Sequence, residues 1–249
     1  MKVIFLGTNG WYDTATGNTI CTLLQTAACD ILLDAGNGLA KADRYGVGEN
    51  GRRVYLFLSH FHLDNVTGLH TLAKFSFPGG LTICGPEGSR SILHTLVNQP
   101  FTLPLCDLPY PVTILELPAE LARLPFPVAA RPLLHASLTM GYRIELENQV
   151  ISYCPDTGYC ENAVHLSREA ELVIAECAYQ SGQGSDDWPH LNPETAAQIA
   201  KEAKAKRLAL VHFDARIYPT LELRQVAERD ARAIFPNTFA AVDNMEIDL

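Results

Sequence analysis

His60-Phe61-His62-Leu63-Asp64-Asn65 is the segment that decides how this 249-residue sequence is interpreted. An isolated His-x-His pair is usually an exposed turn, so the segment needs support from elsewhere in the chain. In a helix, His60 and His62 would point about 200° apart, whereas a strand end or tight loop lets both face one point. Because imidazole and carboxylate groups suit Zn²⁺, Mn²⁺ or Fe²⁺, the segment predicts a metal-binding loop.

That support comes from acidic and imidazole residues that directly follow apolar, strand-like runs. They are Asp34 after residues 31–33, His60 after 54–59, His135 after 128–134, Asp156 after 150–155 and His212 after 208–211. Strand ends hold side chains rigidly at one edge of a sheet, where residues from distant parts of the chain can converge. The pattern therefore predicts one metal site, and three protein ligands beside an open position are typical of a catalytic one.

The apolar pattern also predicts the secondary structure. Strands are expected at Val3–Leu6, Thr19–Leu24, Ile31–Leu33, Val54–Leu58, Leu81–Cys84, Val128–Leu134, Tyr142–Leu146, Val150–Tyr153, Leu172–Ala175, Leu208–Val211 and Phe239–Val242. Helices are expected at Thr67–Phe75, Pro193–Ala205 and Leu221–Ile234. Asn192 is the expected N-cap of the second helix. Early strands crowd together and later ones alternate with helices, which favours two sheets flanked by helices over a doubly wound sheet. With no linker or repeat, residues 1–249 are expected to form a single α/β domain.

Composition limits the function classes. The net charge of −9 and the pI near 5.3 argue against tight nucleic-acid binding, which depends on clustered Lys and Arg. The seven cysteines are scattered without a Cys-x-x-Cys pair, so they predict neither a disulfide framework nor a zinc ribbon. Neither a signal peptide nor a membrane span is expected, and the default localisation is cytoplasmic.

The ordered series Asp34, His60-Phe61-His62-Leu63-Asp64, His135, Asp156 and His212 resembles the five motifs of metallo-β-lactamase-fold hydrolases. Further segments are similar to the ribonuclease Z and cyclic phosphodiesterase branch of that family: Leu6-Gly7-Thr8, Leu33-Asp34-Ala35-Gly36, Gly85-Pro86-Glu87-Gly88, Gly141-Tyr142-Arg143-Ile144, Asp156-Thr157-Gly158 and Ile234-Phe235-Pro236-Asn237-Thr238. The resemblance covers nearly the whole chain. It implies a four-layer αββα sandwich of the metallo-β-lactamase type.

The resemblance further implies a ligand set for two metal ions. These ligands would be His60, His62 and His135 on the first ion, Asp64 and His212 on the second, and Asp156 as a bridge between them. Asp34 would orient a ligand imidazole by accepting its other N–H. The sequence departs from the family at Asn65, where a histidine ligand is usual and an amide oxygen is a harder, weaker donor. We expect one or two zinc ions per chain, with Mn²⁺ or Fe²⁺ as alternatives at the second site.

The charge of such a site indicates its substrate. Two divalent ions, two carboxylates and a hydroxide leave a formal charge of about +1, which favours an anionic phosphodiester. The main hypothesis is therefore a metal-dependent hydrolase of a small or cyclic phosphodiester, in which Asp64 also steers a proton. His190 corresponds to a histidine that contacts the phosphate or protonates the leaving oxygen in related phosphodiesterases, although a histidine beside a helix N-cap is often structural.

Three alternative functions remain open. Ribonuclease Z-like tRNA 3′ processing is opposed by the 20 residues between His135 and Asp156, where ribonuclease Z typically carries a substrate-gripping arm. The fold also supports thioester or lactone hydrolysis, since activated water attacks a carbonyl as readily as phosphorus. The third alternative is a catalytically inactive metal-binding or ligand-binding protein. The resemblance also implies a homodimer.

Overall fold

The chain forms fifteen β-strands, five α-helices and five 3₁₀ helices in a computed structural model that describes residues 1–249. The strands are β1 (Lys2–Gly7), β2 (Asn9–Gly10), β3 (Cys21–Gln25), β4 (Cys29–Leu33), β5 (Arg53–Phe57), β6 (Leu81–Pro86), β7 (Val112–Leu117), β8 (Val128–Pro132), β9 (Met140–Leu146), β10 (Gln149–Cys154), β11 (Leu172–Glu176), β12 (Leu208–Val211), β13 (Phe213–Asp214), β14 (Thr238–Ala240) and β15 (Met245–Asp248). The α-helices are α1 (Leu63–Val66), α2 (Ser89–Leu96), α3 (Glu161–Ser167), α4 (Pro193–Glu202) and α5 (Leu221–Arg232). The 3₁₀ helices span Asn37–Tyr45, Glu49–Gly51, Thr67–Lys74, Leu105–Asp107 and Leu121–Arg123.

Two large sheets are formed, with the strand orders β15-β1-β3-β4-β5-β6-β7 and β14-β12-β11-β10-β9-β8. Strands β4 to β7 are parallel in the first sheet, and β10, β11, β12 and β14 are parallel in the second. Parallel strands bring their carboxyl ends to one edge of a sheet, and site residues lie at the end of β11 and in the segments that follow β4, β5, β10 and β12. His135 follows β8, which is antiparallel to β9. A third, two-stranded sheet pairs β2 with β13 and ties the loop after β1 to the chain after β12.

The layers follow from alternating burial along each strand. In β1, Val3 and Phe5 belong to the core between the sheets, whereas Ile4 and Leu6 belong to a second core on the outer face. Leu69 and Leu93, from the 3₁₀ helix at Thr67–Lys74 and from α2, cover that outer face. Helices α3, α4 and α5 cover the outer face of the second sheet, forming a third core. The result is the four-layer αββα sandwich that the family resemblance implied.

Helix α4 begins at the predicted cap. Asn192 Oδ1 accepts from the backbone N–H of Thr195 at 2.9 Å, and Thr195 Oγ1 accepts from the N–H of Asn192 at 3.0 Å. Pro193 stands at the first helical position, where its missing N–H costs nothing. This reciprocal cap fixes the chain just after His190, and thereby helps to place that side chain.

All eleven predicted strands are present, with ends shifted by a few residues, and strands β2, β7, β13 and β15 were not predicted. Strand β7 lies between two prolines and β15 is a half-exposed edge strand, so neither shows a clear apolar run. The helix predicted at Thr67–Phe75 is a 3₁₀ helix at Thr67–Lys74, and the other two end at Glu202 and Arg232, earlier than predicted. Helices α1, α2 and α3 were not predicted, and α1 includes the end of the segment 60–65 that was predicted to be a loop. No helix combines the length and apolar character that crossing a bilayer requires.

Candidate metal centre

Segments that follow strands of both sheets bring the predicted ligands together at one edge of the sandwich. Potential ligand atoms of His60, His62, His135 and Asp156 all lie within 4.8 Å of one another. A second group, formed by Asp156, His190 and His212, meets the same limit. Asp156 belongs to both groups, so the two clusters are continuous.

The first cluster is a triangle of imidazoles. Its ring centroids are 4.5 Å apart for His60 and His62, and 5.2 Å apart for His60 and His135. His135 Nε2 lies 3.3 Å from His62 Nδ1, and His60 Nε2 lies 3.9 Å from Asp156 Oδ1. His60 is fully buried, and burial lowers the pKa of its imidazole, so the ring is neutral and presents a nitrogen lone pair.

Two buried atoms of this cluster test whether a metal ion fits. His60 Nε2 and Asp156 Oδ2 are inaccessible to solvent and have no hydrogen-bond partner. A buried polar atom without a partner costs free energy, and such atoms are rare in folded proteins. A cation coordinated by both atoms removes that cost, and neutral imidazole with carboxylate is the donor set that zinc prefers. The residues present therefore fit a divalent metal ion.

In the second cluster, His212 faces two carboxylates, that of Asp156 and that of the neighbouring Asp64. His212 Nε2 lies 3.2 Å from Asp64 Oδ2 and 3.3 Å from Asp156 Oδ1. Burial disfavours a charged imidazole, yet the two carboxylates raise the pKa of His212 well above its ordinary value. The same oxygen of Asp64 accepts a hydrogen bond from the backbone N–H of Trp11 at 2.7 Å. A buried carboxylate, Asp156, and a partly buried one, Asp64, face one point and favour a positive charge there, which also suits a cation.

Asn65 lies beside this cluster. Its side chain is buried, with Nδ2 3.4 Å from Asp64 Oδ1, and its amide oxygen has no hydrogen-bond donor. This amide oxygen is an uncharged potential metal ligand at the position where the resemblance led us to expect an imidazole.

Asp34 does not contact an imidazole directly, which corrects the sequence-based expectation. Its carboxylate accepts hydrogen bonds from the backbone N–H and hydroxyl of Ser59 and from the hydroxyl of Tyr153, each at 2.7 Å. Ser59 Oγ lies 2.9 Å from His60 Nδ1. Since the Ser59 hydroxyl donates to Asp34, it accepts from His60 Nδ1–H, which leaves Nε2 as the coordinating nitrogen. Asp34 therefore fixes the tautomer of His60 through Ser59.

Three of these residues have a left-handed backbone conformation. The φ angles are 55° at Asp34, 31° at Asp156 and 52° at His212. Such conformations cost on the order of 1–3 kcal/mol each in non-glycine residues and cluster at functional sites. Gly10 makes the close approach at His212 possible, because a Cβ atom there would lie 2.6 Å from the imidazole Cε1.

Glu176 is a candidate site residue that the sequence analysis missed. It is fully buried at the end of β11, and its Oε1 lies 2.6 Å from His190 Nδ1. The backbone N–H groups of Thr157 and Ala178 also donate to this carboxylate, at 2.6 and 3.1 Å. Although burial opposes it, the Glu176 carboxylate raises the pKa of His190 above its ordinary value. The position of Glu176 after an apolar strand was the signal that could have identified it.

A cavity of about 650 Å³ opens beside the two clusters. Its lining includes four residues of the two clusters and nine neighbouring residues: His62, Asp156, His190 and His212, with Gly10, Trp11, Leu63, Asp64, Ala178, Tyr179, Trp188, Asp214 and Arg216. A larger cavity of about 790 Å³, near α2 and β7, contains none of the clustered residues. His70, His94 and His165 belong to neither cluster.

Comparison with known proteins agrees with this geometry. A family profile described as Beta-lactamase superfamily domain matches residues 30–213. The whole chain is 27% identical to Ribonuclease Z of Bacillus licheniformis, covering 99% of that relative. Its sequence identity to Ribonuclease Z of Geobacillus kaustophilus is 26%, over 98% of this chain and 97% of the relative.

Solved structures show the same fold. The metallo-beta-lactamase fold protein YhfI from Bacillus subtilis superposes with a TM-score of 0.81 at 23% identity, over 99% of this chain and 98% of that one. The short form of human tRNase Z superposes with a TM-score of 0.76 at 24% identity, over 100% of this chain and 99% of that one. A diphosphatase from the PhnP family superposes with a TM-score of 0.72 at 16% identity, over 100% of this chain and 97% of that one.

Proposed function

We propose that this chain, which belongs to the beta-lactamase superfamily of metal-dependent hydrolases, is a phosphodiesterase that cleaves a small or cyclic phosphodiester. The observation that carries the proposal is the shared position of Asp156. It joins a cluster of three imidazoles to a second cluster that contains His190. One substrate in the adjoining cavity can therefore meet both the metal ligands and a proton donor.

The proposed ligands divide between two ions. His60, His62 and His135 would hold the first ion, for which three imidazoles favour zinc. Asp64 and His212 would hold the second ion, with Asp156 shared and the Asn65 amide oxygen as a weak additional donor. When bound, the ions lower the pKa of water toward neutrality and offset negative charge on the phosphate oxygens.

The other polar groups position the substrate and move protons. The backbone N–H of Trp11 holds Asp64 Oδ2 in place, so this carboxylate is oriented to accept a proton from the attacking water. On the other side of Asp156, Glu176 binds His190 Nδ1 and leaves Nε2 as the ring nitrogen available to the substrate. Because the Glu176 carboxylate raises its pKa, His190 is suited to donate a proton to the leaving oxygen.

The segment between His135 and Asp156 supports a small substrate. It contains strands β9 and β10, which pair as an antiparallel hairpin. Their connection is Glu147-Asn148, with φ angles of 50° and 60°, the geometry of a two-residue hairpin turn. No arm that could grip a large RNA extends from this hairpin, and the net charge of −9 also disfavours polyanion docking.

Transfer-RNA 3′ processing is the second candidate, because curated relatives named Ribonuclease Z match the whole chain. The alignment with the Bacillus licheniformis relative extends over 310 positions, whereas this chain has 249 residues. The relative therefore carries segments without a counterpart here. An RNA substrate would have to dock on a different surface of this protein.

A substrate panel tests the proposal. Zinc-loaded protein should release p-nitrophenol from bis-p-nitrophenyl phosphate and should leave acyl thioesters and lactones intact. Cleavage of the carboxylic esters without the phosphodiester would contradict it, and removal of a precursor tRNA trailer at a higher kcat/KM would favour the second candidate. Failure on every substrate after addition of Zn²⁺ or Mn²⁺ would indicate an inactive binding protein. A His62→Ala variant controls for contaminating activity.

A further inference from the structure

The two tryptophans of the chain both line the cavity at the metal centre. Trp11 is 57% exposed and Trp188 is 48% exposed. An indole ring is the largest apolar side chain, and leaving it half in water forfeits favourable burial. Two such rings in one cavity therefore mark a surface that a ligand covers.

The two rings lie on different sides of the candidate metal centre. Trp188 stacks on His62, with centroids 5.6 Å apart and the planes 9° from parallel. It also makes an edge contact with His135 at 5.6 Å. Trp11 belongs instead to the Asp64 side, since its backbone N–H binds Asp64 Oδ2.

The loop that carries Trp11 is held by buried hydrogen bonds. Asn9 Nδ2 donates to the carbonyl of Tyr12 at 3.1 Å, and Asn9 Oδ1 accepts from the guanidinium of Arg224. Arg224 is itself buried, and it also donates to Thr8 Oγ1 at 2.9 Å. Trp188 is fixed through its carbonyl, which accepts from the hydroxyl of Tyr179 at 2.9 Å. Both rings are thus presented by a preorganised backbone.

An arginine side chain lies against the ring of Trp11. The guanidinium of Arg216 lies 5.4 Å from the ring centroid of Trp11, and Arg216 forms no ion pair with a carboxylate. An indole face together with an unpaired guanidinium is a combination that binds flat heteroaromatic rings linked to phosphate.

From these contacts we propose that Trp11 and Trp188 form a nucleobase subsite, so that the substrate is a nucleotide phosphodiester. A base of the substrate stacks on each exposed indole, and the phosphate between them lies at the metal ligands. This inference rests on the proposed phosphodiesterase function and adds the substrate class to it. Because every base has a π face, the subsite selects for the presence of a base more than for its identity.

The test compares two ligands that differ only in the base, AMP and ribose 5-phosphate. Isothermal titration of zinc-loaded wild type should show AMP binding at least ~tenfold more tightly, the scale expected for one stacked base. Trp11→Leu and Trp188→Leu should each reduce this preference, and the matching Trp→Phe variants should retain most of it. Phe101→Leu is the control, because Phe101 is aromatic and exposed but does not line the cavity.

Equal affinity of wild type for AMP and ribose 5-phosphate would overturn the subsite, as would a preference that a Trp11→Leu/Trp188→Leu double variant retains. These results are separable from the proposed activity. Cleavage of bis-p-nitrophenyl phosphate with no preference for AMP would leave the phosphodiesterase standing without the subsite. A preference for AMP without cleavage of any diester would support the nucleobase subsite and contradict the phosphodiesterase activity.

Discussion

The carboxylate of Glu176 lies 2.6 Å from Nδ1 of His190, and it is buried completely. Backbone N–H groups of Thr157 and Ala178 bind the same carboxylate, so its position is fixed from both sides. This arrangement orients the imidazole and favours its protonated form. His190 consequently has the properties of a general acid in the proposed reaction.

Replacing His190 should affect substrates according to their leaving group. His190→Ala is expected to lower kcat by about 10²–10⁴-fold for a dinucleotide, whose alkoxide leaving group needs a proton. The loss on bis-p-nitrophenyl phosphate should be far smaller, because p-nitrophenolate leaves without protonation. Steady-state kinetics on both substrates checks this prediction. Equal losses on the two substrates would contradict the assignment, and Glu176→Gln should show the same selectivity in weaker form.

The contact between Ser59 and His60 should matter for metal affinity. Ser59→Ala removes the acceptor for His60 Nδ1–H, so zinc affinity should fall by about 10–100-fold, the usual effect of losing such an outer partner. Competition with a chromophoric chelator measures the change. Tyr153→Phe is the matched control, because it removes one donor to Asp34 but leaves the Ser59 bridge intact. Comparable losses in the two variants would argue against a specific relay through Ser59.

Asn65 should limit occupancy of the second metal position. Imidazole is a stronger ligand than an amide oxygen, so Asn65→His is expected to raise the number of zinc ions bound per chain. Elemental analysis of wild type and variant, purified side by side, measures the stoichiometry. Unchanged stoichiometry would show that another group limits the second position.

Much of this site could be predicted because its side chains follow apolar strands. Asp156 and His212 come after β10 and β12, and the residue between them in the sheet order, Glu176, ends β11. Glu176 directly follows the predicted strand Leu172–Ala175, and it was missed because no family motif drew attention to it. The strand-end rule would have included it had it been applied to every strand.

Other features depend on tertiary contacts that a sequence does not display. The positive φ angles of Asp34, Asp156 and His212 are imposed by the surrounding structure, since none of these residues prefers that conformation strongly. The bridge through Ser59 was also unforeseen, because it depends on how β4 and β5 pair. The position of Trp11 against Asp64 likewise joins segments that are far apart along the chain.

The central claim is that His60, His62, His135 and Asp156 together bind a metal ion. Metal content of the purified protein, determined by mass spectrometry after zinc loading and removal of free metal, tests this claim most directly. The account predicts at least one zinc per chain in wild type and a marked loss in a folded His62→Ala variant. Wild-type protein that is folded yet retains less than one metal per chain, or equal retention by His62→Ala, would contradict it.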